Sequence, residues 1–186
     1  MASKGLVATL SSSPFSPAVD GAPARDLAVM ELFDLHAPGL YRLAVAMLRD
    51  ADGAQDVVQD TFLRLMRHVD AGGRLPNAKG WLYTVAANAC RDRRRGGWRW
   101  LPWLPEFDQR ASPDPTDAGD RHAAILDALH AVRPRDRLLI ALLAQGLTYQ
   151  DIAAAAGIRP ASVGRLLARA LDRLAREMGM RQEVLK

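Results

Sequence analysis

The stretch TYQDIAAAAGIRPASVGRLLARALDRL, residues 148–174, carries the pattern that decides the fold. Thr148 stands three residues before the carboxylate of Asp151, a variant of the capping box that opens a helix. Ile152 and Ala153 would point inward from that short helix. Gly157 can take the positive φ of a tight turn, and Pro160 suits the first position of a second helix. On this second helix Val163, Leu166, Leu167, Ala170, Leu171 and Leu174 recur as one apolar stripe. Ser162, Arg165, Arg169, Asp172, Arg173 and Arg176 lie opposite. A small residue at the helix crossing, a glycine four residues on and branched apolar anchors beyond it give the spacing of a helix-turn-helix. Such a motif offers the N-terminal side chains of its second helix to a major groove. A plain helical hairpin is the rival reading, and the basic outer face favours DNA.

Upstream, Pro134 after Arg133 starts another helix, and Gly146 can end it. Between Gly96 and Gly119 the prolines Pro102, Pro105, Pro113 and Pro115 preclude a continuous helix. This segment reads as a linker, with Trp98, Trp100 and Trp103 interleaved with Arg99. Those rings either stack on single-stranded DNA or pack against protein, and packing is the favoured reading. Before the linker lies a second helical block. Leu40, Leu43, Ala44, Met47 and Leu48 form one amphipathic stripe, followed by a loop over residues 49–53. A helix with Val58, Thr61, Phe62, Leu65, Met66 and Val69 on one face carries Asp56, Gln59, Asp60 and Leu63 on another. After Gly72, Gly73 and Pro76 a third helix runs over about residues 79–95, with Trp81, Leu82, Val85, Ala86 and Ala89 inward. It ends in Arg91-Asp92-Arg93-Arg94-Arg95, a cluster suited to a helix C-terminus or to phosphates. The Ser/Pro-rich residues 1–25 read as a disordered tail.

The fold expected is therefore all-α: two small helical domains, 26–96 and 120–180, joined by a Pro/Trp-rich linker, 97–119. Of 186 residues 25 are basic and 21 acidic, a net charge of +4. No apolar run approaches the roughly 20 residues of a membrane span, so no membrane insertion is expected. Cys90 is the only cysteine, and His36, His68, His122 and His130 lack ligand spacing. That argues against a disulfide framework and a multi-cysteine metal site. No nucleophile–base pair or phosphate-cradling glycine loop stands out, so neither an enzyme nor a cofactor is expected.

Both blocks together resemble the bacterial RNA polymerase sigma factors, specifically the extracytoplasmic-function group. The first block does so in residues 40–44, in 54–63 (AQDVVQDTFL) and in 81–88 (WLYTVAAN), with Asp92 and Arg95 following. The second does so in Leu129, Pro134, Arg137 and the helix-turn-helix. The resemblance implies an initiation factor, acting in the cytoplasm, that binds core polymerase through its β′ and β subunits and directs it to promoters. Asp56, Gln59, Asp60 and Leu63 would dock on the β′ clamp helices. Arg74, Asn77, Lys79, Asn88, Arg91, Arg94 and Arg95 would serve the −10 element, where strand opening needs cations and a platform for an unstacked base. Arg159, Ser162, Arg165 and Arg169 would read the −35 element. Gly164 departs from the family pattern, which commonly has Lys or another polar residue there. An anti-sigma factor is a further partner the resemblance suggests. The alternatives are a helix-turn-helix regulator that never joins polymerase and a sigma-like interaction protein that binds no DNA. The first would leave the Asp56 face and the 81–95 helix without a purpose.

Overall fold

The structure is a computed structural model that describes residues 22–94 and 117–184. Most of the expected tail, all but the end of the linker, Arg95 and the three linker tryptophans fall outside these residues. The described part holds seven helices and no strand: α1 (Ala22–Leu48), α2 (Ala51–Asp70), α3 (Ala78–Arg94), α4 (Asp117–Ala131), α5 (Pro134–Ala144), α6 (Tyr149–Ala156) and α7 (Pro160–Val184). The all-α expectation holds.

Local signals placed the boundaries of the second half well. Pro134 is the first residue of α5, and Gly146 follows its end at φ 67°. Thr148 caps α6 by accepting the Asp151 amide at 3.2 Å, and Gly157 ends it at φ 66°. The first half differs more. Helix α1 starts inside the expected tail and runs through Pro38 without a break. Pro38 is exposed, so water can reach the carbonyl one turn back that loses its donor. The expected 49–53 loop shrinks to a two-residue turn. Arg49 takes a left-handed conformation, φ 64°, and α2 begins at Ala51.

Leu40, Leu43, Leu65, Leu75 and Leu82 are fully buried in the first half, and Leu139, Leu142, Ile152 and Val163 in the second. Each such side chain contributes about 1.5–3 kcal/mol on leaving water. The two sets belong to one continuous apolar core. Helix α3 packs on α1 and α2 and also on α6, while α1 packs on α4 and α5. This explains why α3 buries Tyr83, Ala87 and Cys90 beyond its expected stripe. Two details of α7 also correct the sequence reading. Leu171 is exposed, at the edge of the apolar stripe, while Ala170 is buried and Leu174 packs against the core. Arg173, expected on the outer face, instead pairs with the buried carboxylate of Asp136.

Candidate nucleic-acid interface

Helices α6 and α7 cross through Ile152, Ala153 and Ala155 on one side and Val163 and Leu167 on the other, all buried. With those faces packed, the start of α7 must present its polar side. Arg159, Arg165 and Arg169 are exposed and Ser162 is half-buried. None of these three arginines is paired with a carboxylate among the described residues. Arg165 and Arg169 lie one turn apart on one face. Sequence reasoning passed over Tyr149, which is 53% exposed at the start of α6. A Cβ at Gly164 would sit 3.5 Å from its ring. An aromatic surface thus fills the space above the helical glycine, and the exposed tyrosine one residue after the cap is the signal that could have found it.

The residues assigned to the −10 element gather along α3 and the turn before it. Asn77 caps α3 by accepting the Gly80 amide at 2.9 Å, and its Nδ2 donates to Asp151 Oδ1 at 2.6 Å. Lys79 Nζ donates to the Gly146 carbonyl at 3.1 Å. Arg91 donates to Asn88 Oδ1 at 2.7 Å and also to the carbonyl of Ala155. Arg74 and Arg94 are exposed. Four of the seven, Asn77, Lys79, Asn88 and Arg91, therefore lie together where the first half meets the second. Arg74 and Arg94 stand apart from them, and Arg95 lies outside the described residues.

The four residues assigned to polymerase docking do not share one exposed face. Asp56 is exposed and ion-paired with Arg93. Gln59 and Leu63 are half-buried. Asp60 is buried, with its Oδ2 2.8 Å from Arg64 Nε. It follows Val57 and precedes Thr61 on the inner side of α2, so the α-helical period turns it inward. This corrects its placement on the outer face.

Arg137 is a structural residue rather than a contact. Its guanidinium donates to the carbonyls of Leu129 (3.0 Å), His130 (2.7 Å) and Val132 (3.3 Å) and so caps the end of α4. Burial, and then the positive charges of Arg94 and Arg49, lower its pKa from the usual arginine value. Burial pushes the Cys90 thiol up to about 12. Among the described residues no cluster of His, Cys, Asp and Glu could hold a metal ion, and no helix is long and apolar enough to cross a membrane.

The chain thus forms two helical halves, the second carrying a helix-turn-helix with a basic outer face, a geometry suited to DNA. The Sigma-70 region 2 profile matches residues 32–99, and the Sigma-70 region 4 profile matches residues 122–174. The sigma factor CarQ of Myxococcus xanthus is 31% identical over 156 residues, covering 80% of this chain and 88% of CarQ. The sigma factor SigL of Mycobacterium tuberculosis is 38% identical over 125 residues, 66% of this chain and 64% of SigL. The chain thus spans a little under two thirds of SigL. Among solved structures, the sigma factor RpoE of Bartonella quintana, determined in complex with the anti-sigma factor NepR, matches with a TM-score of 0.60. It is 26% identical, over 83% of this chain and 98% of RpoE. The chain belongs to the extracytoplasmic-function group of RNA polymerase sigma factors.

Proposed function

We propose that this chain joins core RNA polymerase and directs it to promoters, its second half reading the −35 element and its first half the −10 element. One observation carries the −35 assignment: Arg159, Arg165 and Arg169 stand exposed, without carboxylate partners among the described residues, at the start of a helix whose opposite side is anchored in the core. An arginine so placed can pair bidentately with guanine, and each good pair gives about 1–3 kcal/mol of discrimination. Tyr149 adds an apolar surface beside Gly164 that suits a thymine methyl group. On the first half, Arg74, Asn77, Lys79, Asn88, Arg91, Arg94 and Arg95 supply cations and amides for the −10 strand. The docking face on the β′ clamp helices reduces to Asp56, Gln59 and Leu63, and the polymerase supplies the catalysis. An anti-sigma protein is a third partner, supported by the likeness to RpoE seen with NepR. On this reading the chain acts in the cytoplasm, with the DNA.

The test is reconstitution with purified core polymerase and mapping of transcription starts on genomic fragments. Starts that share upstream elements and vanish without the chain are the expected result. DNA binding with no new start would favour a regulator outside polymerase, and neither would leave an interaction protein.

A further inference from the structure

The entry to α6 is held from both sides of its cap. Leu147 and Ile152, the positions that staple the first turn of a helix, are both buried in the core. Thr148 Oγ1 accepts the Asp151 amide at 3.2 Å and donates to Asp151 Oδ2 at 2.6 Å. Tyr149, the first residue of the helix, stands between these anchors and is turned outward, 53% exposed. A ring kept in water forgoes the burial that draws most aromatic side chains inward.

Across the turn, Gly164 is the fifth residue of α7, on the part of the second helix that meets base edges in a helix-turn-helix. Its backbone is not left-handed, so no turn requires glycine there, and inside a helix glycine is less favourable than alanine. Space does not require it either, because a Cβ would lie in ordinary contact with the Tyr149 ring, 3.5 Å from Cε2. What glycine does is leave the ring uncovered, where a longer side chain would start beside it and could lie across it. Arg165 follows directly and Arg159 precedes the helix, both exposed, so this side of the motif attracts a polyanion.

We propose that Tyr149 and Gly164 form a notch that takes the C5 methyl group of one pyrimidine in the −35 element: thymine, or cytosine carrying a 5-methyl group. The inference rests on the −35 reading above and adds to it the base, the atom and a sensitivity to DNA methylation. In the major groove that methyl is the apolar group by which thymine is told from the other bases. 5-Methylcytosine carries the same group on the same ring atom. Beside it thymine offers the O4 acceptor and cytosine the N4 donor. The ring face and the Gly164 Cα present carbon, which has no means to distinguish those two, so the notch reads the methyl alone. Arg165, one residue on, is left to hydrogen-bond a neighbouring guanine or a phosphate.

A base-by-base scan tests this. On promoters mapped for the reconstituted holoenzyme, each thymine of the −35 element is replaced by deoxyuridine, which deletes the methyl and keeps every hydrogen-bonding group. Competition binding by the holoenzyme should weaken about fourfold at one position, the change that burying one carbon supports, and stay within about twofold elsewhere. Cytosine at that position should bind more weakly still, and 5-methylcytosine should bind about fourfold better than cytosine. Tyr149→Ala and Gly164→Gln should each bring the thymine-to-deoxyuridine ratio to about one, while Tyr149→Phe keeps it. Tyr149 is exposed and residue 164 has room for a Cβ, so these variants should melt near the wild-type temperature. Should Gly164→Gln melt early, Gly164→Ala replaces it, with a melting temperature no lower than wild type and a smaller ratio. A wild-type ratio near one at every thymine, or an element without thymine that is indifferent to cytosine methylation, would overturn the notch. So would a ratio that survives Tyr149→Ala, which assigns the methyl to another group, or one lost in Tyr149→Phe, which assigns the reading to the hydroxyl. If no transcription start appears but the full chain binds DNA, the same scan on duplexes selected by that binding decides the notch, and the functional reading fails alone. Absence of DNA binding overturns both.

Discussion

Replacing Arg137 by alanine should be among the most damaging single changes in the second half. The side chain makes three hydrogen bonds to carbonyls at the end of α4, from a position only 9% exposed. A hydrogen bond from a charged donor contributes about 1.5–3 kcal/mol, and a buried acceptor left unpaired costs about 1–3 kcal/mol. Three such bonds would suggest a larger loss, but two effects reduce it. Water can reach the His130 carbonyl, which is only part-buried, and the change relieves repulsion from Arg94 and Arg49, which together with burial lowers the Arg137 pKa. The net expectation is about 3–5 kcal/mol, at the upper end of single-residue effects. For a chain of this size about 2–4 °C accompanies each kcal/mol, so the melting temperature should fall by roughly 6–20 °C. Arg137→Lys should recover only part of this, since one ammonium cannot bridge three carbonyls. Urea unfolding followed by circular dichroism, run alongside thermal melts, measures both variants. A loss below about 1 kcal/mol for the alanine variant would refute the capping role, and a stabilised Arg137→Met would show that repulsion outweighs the hydrogen bonds.

Asp56→Ala with Gln59→Ala should weaken holoenzyme formation at least several-fold in a pull-down, at a stability cost of about 1 kcal/mol or less, because the lost Asp56–Arg93 pair is half-exposed on the acid's side. Undiminished association would remove that face from the docking surface. Arg165→Ala and Arg169→Ala should each melt within about 0.5 kcal/mol of wild type while transcription from −35 variants changes. Loss of preference at one base pair marks a base contact and uniform weakening marks a phosphate contact, whereas two unaltered variant profiles would discard the recognition-helix assignment. The pKa values of His36 and His130 are both lowered from 6.5, chiefly by burial. The unfolded chain therefore binds more protons than the folded one just below that pH. The stability the two neutral imidazoles retain above pH 6.5 should be lost as pH falls through their lowered native values. His130→Asn should flatten that acid limb in pH-dependent melts, and an unchanged limb would argue against a half-buried neutral His130.

What the sequence revealed about this molecule was local. Pro134, Gly146, Thr148 and Gly157 act within a turn or so of their own positions, so their helix boundaries could be read before any packing was known. The apolar stripe around Val163 and Leu167 identified the helix crossing because a 3.6-residue period survives in any helical context. Long-range facts were hidden. Nothing in residues 54–63 shows that Asp60 faces inward, since the side of α2 that is buried depends on where α1 and α3 lie. Arg173 looks like any exposed arginine until Asp136, 37 positions away, is seen beneath it. The contact of α3 with α6 joins residues about 70 positions apart, so no local pattern showed that Asn77 and Arg91 meet the second half. The candidate −35 residues were legible for the same reason that their helix was, because exposure there follows directly from the stripe.

Cys90 has a consequence for signalling. It is the sole cysteine of these 186 residues, fully buried, with its thiol pushed up to about 12. Oxidants and electrophiles attack the thiolate, a form that burial of this thiol strongly disfavours and keeps out of solvent's reach. The described fold is therefore chemically deaf to oxidative stress through thiol chemistry. On the proposed function, an oxidative signal would reach these residues through a partner's binding rather than through Cys90.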